Sequence, residues 1–531
     1  MAMTPLAAAA AGSLIQSVDW SAIAPPLITA AVGLGVLVAD LFLPARRKQL
    51  LGWVAVAGLA VALLALLPLR AGTHVAFCLR TVAGTTDNGA CSYVADHFAL
   101  CFQLLVLGGA LLVGLLSMHV VREQRLPTGE YWFLLLSSAA GAALLPAARD
   151  LATLVVALEV TSLPAFALVG LRRDARGGEA ALKFFLSSVA ATSVTLLGVG
   201  FVYAATGSMY LGRIAAALPH VPAQLKTLAL VGALLTLVGF AFKTAAVPFH
   251  FWLPDTYAGA PVPVAAYLSV VGKAAGISGL ALIAVVGFHS YGRIWGLGLA
   301  VVAALTMTVG NAAALRQRSD APHSAVRLLA WSSIAQAGYL LVPIAAAGYR
   351  PGSHDPLGAT VAYALIYGVV NLGAFAVVAL VAGRVDDYRG LFAERPATAL
   401  ALAFFLLCLA GLPPGVAGLF GKVVVFRAAV GSGLGWLAVV MAVNVVIALY
   451  YYLMWTAKLF QPAAEAATGA AAEATAESGT GAAAASRARR RPTGPLPVPL
   501  AVGLGLAAAV GVVLSVAPQL VLQVTTGSLF G

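Results

Sequence analysis

Long runs of apolar residues, separated by short polar segments, recur along the chain from about residue 22 to residue 524. A run of about 18 or more apolar residues is typical of a transmembrane helix. The pattern predicts fourteen such spans, with limits at 22–43, 51–69, 97–121, 131–148, 151–171, 179–205, 226–252, 261–288, 294–315, 324–347, 357–383, 397–430, 434–460 and 496–524. We therefore expect an all-α polytopic membrane protein of about 14 transmembrane helices.

The composition supports this class. Of 531 residues, 61% are hydrophobic and only 9% are charged, against roughly 25% charged in soluble domains. The formal charge of +12 is compatible with a nucleic-acid partner, but the basic residues are scattered through short loops instead of being gathered on one arm. We expect membrane lipid as the surroundings and no nucleic acid.

The basic residues are concentrated in one set of alternate loops, which includes residues 45–48, 122–125, 172–176 and 316–327. Loops rich in Lys and Arg stay in the cytoplasm. Because the number of spans is even, both termini are predicted on the outer side of a bacterial plasma membrane.

The outer loop between the second and third spans contains Cys78 and Cys91. Its compartment is oxidising, so a disulfide is one interpretation. Two unpaired thiols packed against helix ends are the other.

Two spans contain helix-breaking residues near a lysine. Pro248 follows Lys243 in span seven, and Pro413 and Pro414 precede Lys422 in span twelve. Proline removes a backbone donor and interrupts the helix. We expect broken helices at both positions, in two five-helix units that are inverted relative to each other because each has an odd number of helices.

The predicted divisions of the chain follow from these units. They are three N-terminal helices (1–130), a first five-helix repeat with helices 4 to 8 (131–288), a second inverted repeat with helices 9 to 13 (289–461), a low-complexity cytoplasmic linker (462–495) and terminal helix 14 (496–531).

Charged residues inside the apolar spans are the candidates for function. Lys243, Lys273 and Lys422 lie well within spans, and Glu159 is the acidic residue deep in span five. A lysine at mid-bilayer depth costs about 2.5 to 3.5 kcal/mol and marks an ion path. These four residues are predicted to form a proton relay in which Glu159 is the partner of Lys243.

Other polar residues are accessory candidates along this path. Lys183 either belongs to it or extends its ammonium group to the membrane surface, and His250 lies two helical turns after Lys243. Polar residues of spans ten and eleven are expected between Lys273 and Lys422, although each alone is more often an interhelical hydrogen bond. These are Ser332, Ser333, Gln336, Tyr367 and Asn371.

The sequence contains no pattern for redox or hydrolytic chemistry. The cysteines lack iron–sulfur or zinc spacing, and the histidines do not cluster as metal ligands. We expect no catalytic residue, no metal and no cofactor on this chain.

Several motifs in order resemble one family: KTAAVPFHFWLPDTYAGAP from Lys243, AWSSIAQAGYLL from Ala330, NLGAF from Asn371, DYRGL from Asp387 and AGLPPGVAGLFGK from Ala410. They are similar to the antiporter-like membrane subunits of proton-translocating NADH:quinone oxidoreductase, respiratory complex I. The resemblance covers spans four to thirteen. It implies proton transfer through Glu159, Lys243, Lys273 and Lys422.

The resemblance also implies the setting. FMN, iron–sulfur clusters and quinone are expected elsewhere in the complex, and the other membrane and peripheral subunits, including antiporter-like paralogues, are the expected partners. This chain would be a non-redox subunit of a translocase. The antiporter-like subunits include N, M and L types. Lys422 and a single span after the long linker resemble the N type more than the M and L types. Gln336 departs from the family, which commonly has histidine there.

Three functions are compatible with these sequence features. The first is the complex I subunit, driven by electron transfer from NADH to quinone in other subunits. The second is a subunit of a multi-subunit cation/proton antiporter or of a membrane-bound hydrogenase, since both resemble the same fold. The third is a structural membrane scaffold, which is disfavoured because interhelical polar contacts contribute only about 0.6 kcal/mol each.

Overall fold

The computed structural model describes residues 18–80, 86–350, 355–462, 496–525 and 529–530. Its α-helices, numbered in chain order, are α1 (Trp20–Phe42), α2 (Gln49–Leu64), α3 (His97–Glu123), α4 (Thr128–Leu144), α5 (Leu151–Gly170), α6 (Ala175–Thr206), α7 (Leu211–Ala217), α8 (Lys226–Thr244), α9 (Trp252–Gly259), α10 (Val262–Tyr267), α11 (Lys273–Ala281), α12 (Gly292–Arg316), α13 (Ser324–Ala347), α14 (Asp355–Val381), α15 (Leu391–Glu394), α16 (Pro396–Ala410), α17 (Val416–Gly431), α18 (Gly435–Phe460), α19 (Val498–Val516) and α20 (Gln519–Thr525).

The prediction of an all-α polytopic membrane protein is confirmed. Within the described ranges, twelve helical segments are long and apolar enough to cross a membrane. The other two predicted spans correspond to α4, with 17 residues, and to the pair α16 and α17, with 15 and 16 residues. Short π-helical stretches at Leu268–Gly272 and Leu282–Gly287 continue α10 and α11 into one span.

Both predicted helix breaks are present. In span seven, α8 ends at Thr244 and α9 begins at Trp252; in span twelve, α16 ends at Ala410 and α17 begins at Val416. The residue after each first half has a positive φ, 58° at Ala245 and 87° at Gly411. A left-handed residue is a common helix terminator. Each break leaves carbonyl groups at a helix end near the middle of the bundle.

The centre of the bundle consists of α3, the span formed by α10 and α11, α13 and α14, whose residues are mostly buried. Peripheral helices such as α1 and α6 expose large apolar side chains, among them Leu34 and Leu186. In a membrane protein, lipid covers such surfaces. Polar side chains on the central spans are therefore the ones that protein atoms must satisfy.

The outer loop contains a β-hairpin that the sequence analysis did not predict. Strands β1 (His74–Arg80) and β2 (Thr86–Ala95) pair antiparallel, with Cys78 opposite Cys91. In the structure these two cysteines form a disulfide, the first of the two interpretations of the sequence. A bridge at this register fastens the two strands directly across the ladder.

The predicted limits of the five divisions stay a prediction, because helix packing alone does not fix a repeat boundary. Residues 463–495, nearly the whole predicted linker, lie outside the described residues.

Close packing of α6 against α8 depends on glycine. A Cβ atom added to Gly198 would lie 2.4 Å from the backbone nitrogen of Thr236 and 2.8 Å from the carbonyl oxygen of Gly232, whereas one on Gly200 meets nothing within 4 Å. We expect Gly198→Ala to force the helices apart and to lower the free energy of unfolding by about 1 to 3 kcal/mol. Thermal unfolding of the tagged protein in detergent extracts measures this.

Gly200→Ala is the matched control, since it adds the same methyl group to the same helix. Its unfolding midpoint should stay at or slightly above the wild-type value, because alanine favours helix over glycine. Equal midpoints for the two variants would contradict the close packing of α6 and α8.

Candidate functional site: buried lysines at two broken helices

Three lysines of the membrane region are enclosed by protein. Lys243, Lys273 and Lys422 are only 3%, 2% and 3% exposed, respectively. A buried ammonium group is tolerated only where hydrogen-bond acceptors replace water. The acceptors of each lysine therefore define the site.

Lys243 lies in the last turn of α8, immediately before the break. Its Nζ donates to the Ser162 hydroxyl at 2.9 Å and lies 5.3 Å from the centre of the Phe184 ring. Phe184 in turn stacks on Trp252 of α9, with ring centres 4.3 Å apart. The ammonium group is thus held by a hydroxyl from α5 and an aromatic face from α6.

Glu159 lies one turn before Ser162 on α5, and its carboxylate is hydrogen-bonded to a residue of α6. Glu159 accepts a hydrogen bond of 2.6 Å from Thr192 of α6. Among the ion pairs of the described residues, within 4.0 Å, none joins Glu159 to Lys243. In this structure Ser162 accepts from the ammonium group and Thr192 donates to the carboxylate, and the pairing of Glu159 with Lys243 in the relay stays a prediction.

Lys273, at the start of α11, contacts α13 and through it α14. Its Nζ donates to both the carbonyl and the hydroxyl of Ser333, the latter at 2.6 Å. The Ser333 hydroxyl is 2.8 Å from the Tyr367 hydroxyl, which donates to the Ser269 carbonyl at 3.2 Å. Asn371 donates to the Ser269 hydroxyl at 2.7 Å. The structure thus joins three predicted accessory residues to Lys273.

A small cavity of about 10 Å³ lies beside this group, lined by Lys273 and Tyr367 together with apolar side chains. This volume is at the lower limit of what one water molecule needs. Nearby, the side-chain oxygen of Asn371 is buried and has no hydrogen-bond partner among the described residues. Both features suit a hydrated polar group.

Lys422 binds the end of the opposite half-helix. Its Nζ donates to the carbonyls of Leu409 and Ala410 at 2.9 and 2.7 Å, and it lies 5.9 Å from the centre of the Tyr339 ring. Leu409 and Ala410 are the last residues of α16. A cation at a helix C-terminus interacts favourably with its unpaired carbonyls and dipole. The break in span twelve therefore supplies the acceptors that Lys422 needs.

Gln336 and Ser332 belong to a second polar group that contacts α18. The hydroxyl of Tyr363 donates to the amide oxygen of Gln336, and the amide nitrogen donates to the Tyr452 hydroxyl at 3.3 Å. Tyr452 is also 2.5 Å from the hydroxyl of Ser332. Tyr363 and Tyr452 were not predicted, because no sequence signal separates a hydrogen-bonding tyrosine in an apolar span from a lipid-facing one.

This second group continues across α18 to α12. The rings of Tyr452 and Tyr451 are 4.4 Å apart, and Tyr451 donates to Asn311 at 2.9 Å. Asn311 donates to Asn444 at 2.9 Å, and Asn444 donates to Thr308 at 3.1 Å. Thr308 is exposed on α12. Sequence reasoning missed these residues because partners on helices 130 residues apart cannot be assigned from spacing.

His250 lies in the break between α8 and α9. Its ring centre is 6.0 Å from that of Trp331 on α13, and its Nδ1 is buried with no hydrogen-bond partner among the described residues. The structure therefore places His250 next to the second five-helix unit, with a free ring nitrogen.

Lys183 is exposed and belongs to an ion-pair cluster. It pairs with Glu179 at 2.6 Å and with Asp255 at 3.1 Å, and Asp255 also pairs with Arg327 at 2.8 Å. The cluster joins α6, α9 and α13.

Among the described residues, no group of three or more His, Cys, Asp or Glu side chains is arranged to hold a metal ion.

The family model for the NADH:quinone oxidoreductase/Mrp antiporter membrane region matches residues 148–448, a stretch that contains Lys243, Lys273, Lys422 and both breaks. The chain belongs to this family. The resemblance inferred from its motifs to the antiporter-like subunits is confirmed.

Relatives in this NADH:quinone oxidoreductase/Mrp antiporter family are similar over most of the chain. NADH-quinone oxidoreductase subunit N 2 of Streptomyces griseus is 68% identical over 474 residues, which cover 88% of this chain and 87% of the relative. Subunit N of Salinispora tropica is 44% identical over 461 residues, covering 84% and 86%.

Solved structures agree with this family. A chain in respiratory complex I from Thermus thermophilus is 30% identical, with a TM-score of 0.74 and coverage of 95% of this chain and 100% of that chain. A chain in the Mrp complex from Dietzia sp. has a TM-score of 0.76 at 23% identity, covering 95% and 96%. The second likeness concerns the fold alone.

The cavity beside Lys273 leads to a structural prediction. We expect a high-resolution experimental density map of this protein to contain an ordered water molecule within hydrogen-bond distance of Lys273 or Tyr367, because polar atoms line a space of adequate size. A dry cavity in a map that resolves waters elsewhere in the membrane region would contradict it.

Proposed function

We propose that this chain is the N-type membrane subunit of an NADH:quinone oxidoreductase and that it moves protons through Glu159, Lys243, Lys273 and Lys422. The observation that supports this most directly is the placement of three buried lysines, each bonded to hydroxyl or carbonyl acceptors: Lys243 and Lys422 at the two helix breaks, and Lys273 in the span formed by α10 and α11. FMN, iron–sulfur clusters and quinone belong to other subunits, and their electron transfer supplies the driving force.

The first step concerns Lys243. Its acceptor, Ser162, is a hydroxyl that also donates to the Leu158 carbonyl at 2.6 Å, so Ser162 can stay bonded when the ammonium group loses its proton. Glu159 lies one turn away and is held by Thr192. A rotation of Glu159 from Thr192 toward Lys243 would stabilise the charged amine, and the return would release its proton.

The second step concerns Lys273. Its Nζ, the Ser333 hydroxyl and the Tyr367 hydroxyl form a consecutive series of hydrogen bonds. Hydroxyl groups both donate and accept hydrogen bonds. A proton leaving Lys273 is therefore relayed by rotating hydroxyls or by water in the adjacent cavity. The Tyr367 hydroxyl donates to the Ser269 carbonyl, and Asn371 donates to the Ser269 hydroxyl. These two hydrogen bonds hold Tyr367 and Ser269 in position.

The passage to Lys422 depends on water or on hydroxyl groups. Gln336 cannot titrate, so at this position the chain has an orienting amide in place of the histidine common in the family. Tyr363 and Tyr452 bracket that amide. Lys422 is the last carrier, and the α16 carbonyls hold its charged form.

The alternative function is a subunit of a cation/proton antiporter or of a membrane-bound hydrogenase. The likeness to the Dietzia sp. Mrp complex reflects a fold that these assemblies share. The relatives named subunit N, at 68% and 44% identity, support the oxidoreductase.

We further propose that both termini and the disulfide hairpin face outward, with the basic loops in the cytoplasm of a bacterial cell. The Lys and Arg distribution supports this orientation. A disulfide between Cys78 and Cys91 is also compatible with an oxidising outer compartment.

Replacing Lys243 with methionine tests the relay. We expect Lys243→Met to lower NADH-driven proton uptake in inverted membrane vesicles by about tenfold or more, because methionine cannot hold a proton that a positioned carrier transfers. Uptake is measured by quenching of a pH-sensitive dye, with NADH oxidation recorded in parallel.

Lys226→Met is the matched control, since Lys226 begins the same helix and is exposed. Its uptake should equal that of the wild type. The amount of assembled complex in mild detergent should be similar in both variants. Undiminished proton uptake by fully assembled Lys243→Met would refute the relay.

The orientation is tested by cysteine labelling in intact cells. Without reductant, Cys78 and Cys91 should resist a membrane-impermeant maleimide because they are bridged. After an impermeant phosphine reductant, both should be labelled. Labelling that requires permeabilised cells would reverse the orientation, and labelling without reductant would argue against the bridge.

A further inference from the structure

A cavity of about 520 Å³ lies where the α1–α2 and α3–α4 connections meet the start of α19. Sites for small molecules have volumes of roughly 300 to 1,000 Å³. The cavity is far from the buried lysines, and neither the relay nor the ion pairs around Asp255 use it.

The charged side chains that line this cavity are basic. They include Lys48, Arg122 and Arg125, and the lining contains no carboxylate. Lys48 pairs with Asp40 at 2.6 Å. Within the described part of the chain, Arg122 and Arg125 have no carboxylate within 4.0 Å, so two guanidinium groups remain uncompensated. Such a wall attracts an anion with several acceptor oxygens.

Backbone groups add to this positive field. Helix α2 begins at Gln49 and α4 begins at Thr128, and both residues line the cavity. Neither helix start has a hydrogen bond from a capping side chain. Their first N–H groups are therefore available to an anionic ligand, which the helix dipole also favours.

Apart from Gln49, His119 and Thr128, the remaining lining is apolar and includes two tryptophans. Trp53 is 51% exposed and Trp132 is buried, and the neighbouring α2 residues Leu50 and Val54 are 52% and 50% exposed. Tryptophan next to basic residues at helix ends is typical of the membrane–water interface. A ligand here would therefore combine an anionic head with an apolar body that continues along α2.

We propose that this cavity binds the headgroup of an anionic glycerophospholipid, with the phosphate between Arg122, Arg125 and the starts of α2 and α4 and the acyl chains along α2. A free phosphate ion would use the basic wall but leave Trp53 and the exposed α2 residues without a partner. Basic pockets between transmembrane helices bind the headgroups of such lipids in other membrane proteins.

The test uses the assembled complex, purified, delipidated and placed in phosphatidylcholine nanodiscs that contain a small fraction of phosphatidylglycerol. Native mass spectrometry of the released complex counts retained phosphatidylglycerol. We expect one tightly held molecule assigned to this chain, and Arg122→Gln/Arg125→Gln should weaken its affinity about 25-fold, the product of roughly fivefold for each basic side chain at a membrane surface.

Arg173→Gln/Arg176→Gln is a closely matched control. It removes two exposed arginines of the same spacing, Arg173 in the loop after α5 and Arg176 in the first turn of α6, and Arg173 has a φ of 54°, close to the 52° of Arg125. This variant should retain the lipid. Retention of phosphatidylglycerol does not depend on proton transfer. A failure of the lipid proposal can therefore be distinguished from a failure of the proposed relay.

Three results would overturn the proposal. The first is equal lipid retention by Arg122→Gln/Arg125→Gln and the control. The second is full displacement of the lipid by millimolar inorganic phosphate, which would indicate a site for free anions. The third is absence of the lipid from the wild-type assembled complex, which would indicate that a neighbouring subunit covers the cavity.

Discussion

The structure depends on giving each buried ammonium group acceptors that replace water. An uncompensated charge at this depth is too unfavourable to persist, so the surrounding helices must supply oxygen atoms. Lys422 takes two backbone carbonyls at the end of α16, Lys273 takes a carbonyl and a hydroxyl of Ser333, and Lys243 takes the hydroxyl of Ser162. In an unbroken transmembrane helix, nearly all carbonyls are already bonded within the helix. The break in span twelve frees the two that Lys422 uses.

The break in span twelve also places a cation at a favourable electrostatic position. Lys422 reaches from α17 to the last carbonyls of α16, so its ammonium group lies at a helix C-terminus, where the dipole stabilises positive charge. Lys243 lies in the last turn of α8, but its ammonium group bonds to the Ser162 hydroxyl of α5. The central helices between the two ends carry the hydroxyls and amides.

Features of the fold and the site that show as local sequence patterns could be predicted, whereas contacts between residues far apart in the chain could not. The apolar runs, the prolines at 248, 413 and 414, and the lysines within spans are local features, and they predicted the helices, the breaks and the charged side chains of the site. The partners were not local. Thr192, rather than Lys243, holds Glu159, and the side chains that bracket Gln336 come from α14 and α18. Tyrosine in an apolar span has the same sequence signal whether it packs against lipid or donates to an amide. The β-hairpin was also missed, because its short strands lack a clear alternation.

Gln336 shows how the site can work with a residue that does not titrate. Its amide oxygen accepts from Tyr363 and its amide nitrogen donates to Tyr452, so both ends of the side chain are committed and the amide has one favoured orientation. A histidine in this position would take up and release a proton itself. A fixed amide instead orients two phenol groups, one of which is shared with Ser332, next to the Ser333 that binds Lys273. In the proposed relay, proton transfer past Gln336 requires hydroxyl rotation or entry of water, both of which depend on the packing of α13, α14 and α18. The fixed amide would therefore make this passage sensitive to small helix movements.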